Sequence, residues 1–311
     1  MHVSIIRVLG RLEPKNWSPG ATKLCLTLSL SLGLFLGGCS VLQSLFENSP
    51  QLLFWWIDGF VDFDGAQTQK VKAALNALQA LVRQKELPLL LEQVKLFEDA
   101  AQGELSPDLS CQALPFLYSR VPPLLHALTP ALADILPTLS ETQIKHIRKR
   151  FEDKNKDWSD EWIKPQASKV LEQQTDKGIE QAQDLYGKLS LEQKQLIRAS
   201  AKASGYNAQT ALAIRLEHQS LTLSTLNQIR ETKEKPLTHE ELEELIQSWA
   251  QQLMRSPNPQ FRTYQENRAS FNCQAVVQFH ASTTTEQRLN AQKRLKRYER
   301  DLIELMANNK S

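Results

Sequence analysis

Glycine is scarce in this chain, and its scarcity excludes most β-rich folds. Only six of the 11 glycines lie beyond residue 38. That number is too small for the turns of a multi-stranded β protein or the phosphate-binding loops of an α/β enzyme. Gln, Glu, Lys, Leu and Ala, which favour helices, fill much of the remaining sequence. The composition therefore predicts an all-α, multi-helix bundle.

Catalytic and metal-binding motifs are also lacking. The histidines are scattered without zinc-site spacing, and no nucleophile elbow, phosphate loop, dinucleotide fingerprint or CxxC pair occurs. Of 37 basic and 35 acidic side chains, four and one lie in residues 1–38, which leaves 33 and 34. A nucleic-acid-binding domain would be strongly basic. We therefore expect no enzyme, no cofactor, no metal and no nucleic-acid partner.

The N-terminal segment, in contrast, contains a targeting pattern. Lys23 precedes the mostly apolar residues 24–36, which suit a signal-peptide core but fall short of the roughly 20 residues needed to span a bilayer. Gly37 and Gly38 then precede Cys39. This pattern resembles the bacterial lipoprotein signal, which implies cleavage before Cys39 and its acylation, typically with palmitate. The alternative is an uncleaved signal anchor with a chance cysteine.

The resemblance implies a domain organisation and a cellular location. We expect a signal peptide over 1–38, a lipidated tether over 39–50 and a helical periplasmic domain over 51–311. Ser40, rather than Asp, follows Cys39, and in lipoproteins of the Gram-negative type this implies export to the outer membrane. The expected partners of this lipid-anchored, periplasm-facing protein are the bilayer, through acylated Cys39, and a protein of the envelope.

Two further cysteines, Cys111 and Cys273, remain in the mature chain. Thiols exposed to an oxidising periplasm tend to pair, and closing a loop of this length stabilises a fold by roughly 4 to 5 kcal/mol in the chain-entropy description. We therefore predict a disulfide. The alternative is two buried free thiols that pack as small hydrophobes.

Aromatic and acidic side chains are concentrated in residues 52–64, which supply the candidate binding residues Trp55, Trp56, Asp58, Asp62 and Asp64. The tryptophans are expected to pack into the helical core, and the alternative is contact with lipid headgroups. The aspartates could offer oxygen ligands to a hard cation, but the calcium-loop spacing is missing. A helix cap with solvated carboxylates is the preferred interpretation.

Apolar residues at helical spacing predict where the helices lie. We expect a first helix over 65–85, ended by Pro88, which lies in the first turn of a second segment over 89–102. Short, kinked helices are expected among the five prolines from Pro115 to Pro137. Later helices are expected from Leu139 to Pro165, over 166–189, 192–204 and 208–235, after Thr238, after Pro257, and over 285–308.

Four helix starts share nearly the same pentad, at 139–143, 189–193, 237–241 and 283–287. Each is a capping box, in which a Ser or Thr hydroxyl and a Gln or Glu three residues later satisfy backbone N–H groups of the first turn. Ordinary helix starts are the preferred interpretation. The pentads also resemble the LTxxQ motif of the periplasmic Spy/CpxP-type family, whose members bind unfolded envelope proteins, and this implies a chaperone or stress partner as the alternative function.

A broader resemblance covers most of the mature chain. The block at 54–64, the Arg150-Phe151 pair with Asn155 and Trp158, the Tyr186-Gly187 pair and the region around Cys273 are similar to a Gram-negative lipoprotein family classified as a domain of unknown function. The resemblance implies an all-helical lipoprotein and carries no catalytic residue. The expected function is a binding or structural role in the cell envelope.

Overall fold

The computed structural model describes residues 41–231 and 237–307, and within these ranges the chain forms helices joined by short turns and contains no strands. The prediction of an all-α, multi-helix bundle is confirmed. The α-helices are α1 Val41–Glu47, α2 Ser49–Val61, α3 Gly65–Leu81, α4 Leu87–Ala100, α5 Pro107–Ser119, α6 Val121–Ile135, α7 Glu141–Trp162, α8 Ala167–Tyr186, α9 Leu191–Ala203, α10 Ala208–Glu231, α11 His239–Met254, α12 Pro259–Ala281 and α13 Thr285–Ala307. The segment expected as a tether is thus helical from residue 41 onward.

The helices pack in two groups. The first group contains α2, α3, α6, α7, α10 and α11, and its core includes Phe54, Val71, Ile147 and Ile246. The second group contains α4, α5, α8, α9, α12 and α13, with α13 packed along α4 and α8. The chain passes between the two groups several times, and the packing contacts that join them are those of α3 with α4 through the turn between them and those of α5 with α6.

A π-helical turn, Val82–Glu86, joins α3 to α4. The α-helical part of the segment expected over 65–85 ends at Leu81, and its last residues lie in the π-helical turn. The predicted position of Pro88 in the first turn of the next helix, where its missing N–H costs nothing, is confirmed. The turn buries Arg83, which donates from Nη1 to the Leu305 carbonyl at 2.6 Å and forms an ion pair with Glu47 at 3.0 Å. Arg83 thereby links α1 and α13 to the π-helical turn between α3 and α4.

The prediction of short helices among the prolines was wrong. α5 and α6 run for 13 and 15 residues, with Pro115 and Pro130 inside them. Pro122 and Pro123 lie in the first turn of α6, and Pro137 lies in the 3₁₀ turn Leu136–Thr138 that follows. The first-turn prolines leave the helical hydrogen bonds intact. Pro115 and Pro130 each remove one such bond, and the helices around them continue because they pack against other helices.

Candidate functional site

The capping boxes predicted from the sequence are present at the helix starts. The capping boxes of α3 (Asp64 and Gln67), α7 (Ser140 and Gln143) and α9 (Ser190 and Gln193) form as expected. At α13 the Gln287 Oε1 accepts from the Thr284 N–H and the Thr284 hydroxyl accepts from the Gln287 N–H. In the α11 box the corresponding side chains are Thr238 and Glu241. The sequence thus located these caps correctly.

The glutamines of four boxes are buried and bind one another across the bundle. The side-chain amides of Gln67 and Gln143 exchange hydrogen bonds at 3.3 and 2.6 Å, and those of Gln193 and Gln287 exchange them at 2.7 and 2.8 Å. All four residues are at most 9% exposed. These side chains therefore do not form the exposed surface that a client-binding role of the motif would require.

Each glutamine amide also donates to a backbone carbonyl two residues before the partner's cap. Gln143 donates to Asp62 at 2.9 Å, and Gln287 donates to Lys188 at 2.8 Å. Gln67 and Gln193 make the corresponding bonds to Thr138 and Ser282. Gly187, with φ of +81°, ends α8 just before Lys188 and turns the chain toward this arrangement. One glutamine pair lies in each helix group, so the same hydrogen-bonding arrangement occurs twice.

Trp55 and Trp56 are exposed, by 54% and 57% of their surfaces, so the expected packing into the core was wrong. Phe54 takes the buried position of α2 instead, and positions 55 and 56 lie about 100° and 200° further around the helix, away from the face of Phe54. Trp56 contacts Phe60 on the same helix, with ring centroids 5.3 Å apart, and Phe60 contacts Phe151 of α7 at 6.0 Å.

The three aspartates of α2 and its exit build a turn. An Asp58 carboxylate oxygen accepts from the Phe63 N–H at 2.9 Å, Asp62 has φ of 60°, and Asp64 caps α3. Within residues 41–231 and 237–307, no group of three His, Cys, Asp or Glu side chains is placed to hold a metal ion. The carboxylates of Asp58 and Asp64 are thus engaged with backbone N–H groups.

Cys111 of α5 and Cys273 of α12 form a disulfide, with Cα atoms 4.9 Å apart. The Ser110 hydroxyl beside it donates to the Cys273 carbonyl at 3.0 Å. The bond therefore links two helices of the second group that are 162 residues apart in sequence. Cys39 and the signal peptide lie outside the described residues.

A partly open, apolar cavity of about 500 Å³ lies inside the first helix group. Of its 22 lining residues, all but four have aliphatic or aromatic side chains, and those four, Arg215, Gln219, Thr222 and Thr225, all belong to α10. The exposed Trp56 lines it and thus marks an opening to the surface. The volume falls within the range typical of small-molecule sites, and the wall has the apolar character of such sites.

The polar residues of α10 meet α7 at what we call the polar edge, formed by Asn155, Arg215 and Gln219. The amides of Asn155 and Gln219 exchange hydrogen bonds at 2.7 and 3.0 Å, and Arg215 Nε donates to the same Asn155 oxygen at 3.0 Å. Burial lowers the pKa of the Arg215 guanidinium, which nevertheless stays charged at neutral pH.

Other polar groups of the cavity wall already have partners. Trp249 Nε1 donates to the Thr222 hydroxyl at 3.2 Å, and that hydroxyl donates to the His218 carbonyl at 2.8 Å. Arg215, Gln219 and Trp249 were not among the residues predicted from the sequence. The spacing of Arg215, Gln219 and Thr222 places them on one face of α10, but this helix carries many other polar side chains, so the spacing alone did not distinguish them.

His280 is the most deeply buried titratable group of the second helix group. It is 2% exposed, its Nδ1 lies 2.9 Å from the Tyr186 hydroxyl, and its Nε2 lies 3.1 Å from the Gly103 carbonyl. The carbonyl can only accept, so the proton is assigned to Nε2 and Tyr186 donates to Nδ1. Burial lowers the pKa of His280 below 6.5 and raises that of Tyr186 to about 12.

This burial predicts a loss of stability at mildly acidic pH. The pKa of His280 is lowered in the folded state, so just below pH 6.5 the unfolded chain binds more protons and the free energy of unfolding falls as pH falls. His218 contributes in the same direction, again mainly through burial. Denaturant unfolding between pH 7.5 and 5.5 measures the slope, which we expect to be shallower in His280→Gln. An equal slope in that variant would contradict the assignment.

The fold defines an all-helical protein whose first helix group encloses an apolar cavity. No described helix is long and apolar enough to cross a membrane. The sequence model of a family of unknown function, DUF6279, matches residues 59–256, and the chain belongs to that family. No curated protein and no solved structure matches the chain significantly.

Proposed function

We propose that the chain is an outer-membrane lipoprotein, anchored through Cys39 and facing the periplasm, whose helical body binds a chain-shaped apolar ligand in the cavity. The observation that carries this proposal is the cavity itself, about 500 Å³ in volume with an almost wholly apolar wall. Well-packed cores contain few voids larger than a water molecule. A cavity roughly three times the size of an engineered one that holds benzene is therefore best explained by a ligand.

Binding rather than catalysis is the activity that the wall supports. Among the described lining residues Arg215 is the one ionisable side chain, with no carboxylate, histidine or cysteine beside it. Acid–base and nucleophilic catalysis both require such groups near the reacting atoms. The cavity thus offers shape and apolar contact, which together favour an aliphatic ligand.

The Spy-like alternative draws less support. It requires Gln143, Gln193 or Gln287 to contribute to a client-binding surface, but these side chains are buried and bonded to other glutamines or to the backbone. Suppression of client aggregation by the purified chain, without ATP and lost on substitution of these glutamines at unchanged stability, would favour the chaperone over the cavity.

The cavity proposal predicts saturable quenching by a brominated alcohol. Trp56 and Trp249 line the cavity, so the bromine of ω-bromododecanol should quench their fluorescence when the chain of the probe enters. Ala131→Phe places a ring in the cavity and is expected to lower the affinity at least tenfold. The matched control is Ala199→Phe at an exposed position of α9, which should leave binding unchanged.

The outcome of this titration separates the possibilities. Quenching that saturates in the unaltered chain and in Ala199→Phe but not in Ala131→Phe supports the cavity. Quenching without saturation, or the same affinity in all three proteins, would contradict it, because either result would place the alcohol on the outer surface.

Anchoring predicts that Cys39→Ser abolishes lipidation and leaves the precursor unprocessed, because the thioether bond to the lipid requires sulfur. Intact mass of the protein extracted from membranes measures both changes. α1 begins at Val41, two residues after Cys39, so the anchor lies close in sequence to the exposed Trp55 and Trp56, side chains suited to the lipid interface. A mature N-terminus elsewhere, or a chain without acyl mass, would refute the anchoring.

A further inference from the structure

The guanidinium of Arg215 has no acidic partner in the described part of the chain. Among the described residues, no carboxylate lies within ion-pairing distance of it, and its one hydrogen bond is that from Nε to Asn155. The ring of Trp158 lies 5.9 Å from the guanidinium carbon, and the buried Trp158 Nε1 has no hydrogen-bond partner in these parts of the chain. Half-buried arginines are usually compensated by carboxylates, since desolvating a charge without a counter-ion is costly.

The polar edge holds this guanidinium in place. Asn155 accepts from Arg215 Nε and is itself fixed by two hydrogen bonds to Gln219. Since Nε is engaged, the Nη groups are the donors left for a ligand. A guanidinium fork held in one orientation suits a planar, bidentate anion such as a carboxylate.

Space for a polar head adjoins the same residues. A shallow groove between α7 and α10, with mainly polar lining residues, shares Phe151 and Gln219 with the apolar cavity. Its lining contains one cationic side chain, Arg148, and one carboxylate, Glu152, whereas Arg215 belongs to the cavity wall. An apolar cavity and a polar groove thus meet at Gln219, next to Arg215. This succession of apolar and polar surfaces matches a molecule with one apolar tail and one polar head.

Resting on the proposed function, we infer that the ligand is a single-chain amphiphile with an anionic head, of the long-chain carboxylate class. Its tail occupies the apolar cavity, and its head binds the Nη groups of Arg215 at the polar edge. Arg215 then determines specificity for the head, whereas the apolar wall determines affinity for the chain.

The test compares dodecanoate with dodecanol, which differ in the head alone, by calorimetric titration of the full chain below the micelle concentration. Hydrogen bonds to a charged group predict that dodecanoate binds about tenfold to hundredfold more tightly. In Arg215→Met, which keeps the length and apolar surface of the side chain, this preference should disappear while dodecanol binding stays. Arg198→Met, which removes a positive charge from an exposed position of α9, should retain the preference.

Each outcome decides a different question. Equal affinities of the unaltered chain for both probes would overturn the inference and leave the cavity proposal standing, and this comparison does not depend on the folding of any variant. A preference for dodecanoate that persists in Arg215→Met would also overturn the inference. Failure of both probes to bind would overturn it together with the proposed function.

Discussion

Replacing Cys111 with Ser is expected to lower the free energy of unfolding by roughly 4 to 5 kcal/mol. The disulfide to Cys273 closes a loop of 162 residues between α5 and α12, and loop-closure entropy in the unfolded chain grows with loop length. Denaturant unfolding of the oxidised chain and the variant measures the difference. This is the largest single effect that we expect for any substitution in the described part of the chain.

Reduction provides the matched control. The unaltered chain under a thiol reductant should lose the same stability as Cys111→Ser, while Cys111→Ser itself should be insensitive to the reductant. Thiol labelling of denatured, non-reduced protein should find neither cysteine reactive. Two labelled thiols in protein from the periplasm, or a stability independent of reductant, would contradict the disulfide.

Replacing Gln193 with Ala is expected to cost about 2 to 4 kcal/mol. The substitution removes the reach-back to the Ser190 N–H, deprives the Ser282 carbonyl of a donor and leaves the buried Gln287 amide with unmade bonds. An ordinary hydrogen bond contributes only about 1 kcal/mol, but a buried polar group left without a partner costs about 1 to 3 kcal/mol. Thermal or denaturant unfolding measures the loss.

A double-mutant cycle isolates the pair. If Gln193 and Gln287 act together, the double variant should lose less than the sum of the two single losses, with a coupling of about 1 to 3 kcal/mol. Glu241→Ala, in the α11 box where the acidic side chain is exposed, should cost clearly less than Gln193→Ala. Additive losses at 193 and 287, or an equal cost at 241, would contradict the role of the buried pairs.

Local sequence signals were sufficient for the helices and their starts. Ser140, Ser190 and Thr238 cap helices as expected, because a capping box is complete within four residues. Proline positions were harder to interpret. Pro115 and Pro130 lie inside helices that tertiary contacts maintain, and sequence spacing carries no measure of those contacts.

The candidate site could not be predicted, because it is made by residues distant in sequence. Gln67 meets Gln143 across 76 positions, and Gln193 meets Gln287 across 94. Residues of α2, α3, α6, α7, α10 and α11 line the cavity. Arg215 is recognised as a candidate binding residue only because apolar residues from these other helices surround it. Trp55 and Trp56 show the opposite failure, since hydrophobicity alone did not reveal that both are exposed.

A crystal structure of the full chain with ω-bromododecanoate, phased on the anomalous signal of bromine, tests ligand binding in the cavity most directly. We expect one bromine within the apolar cavity, among the residues that include Trp56 and Trp249, and the carboxylate at the Nη groups of Arg215. Bromine on the outer surface of the bundle alone, or a cavity that contains no bromine at saturating probe, would contradict the account.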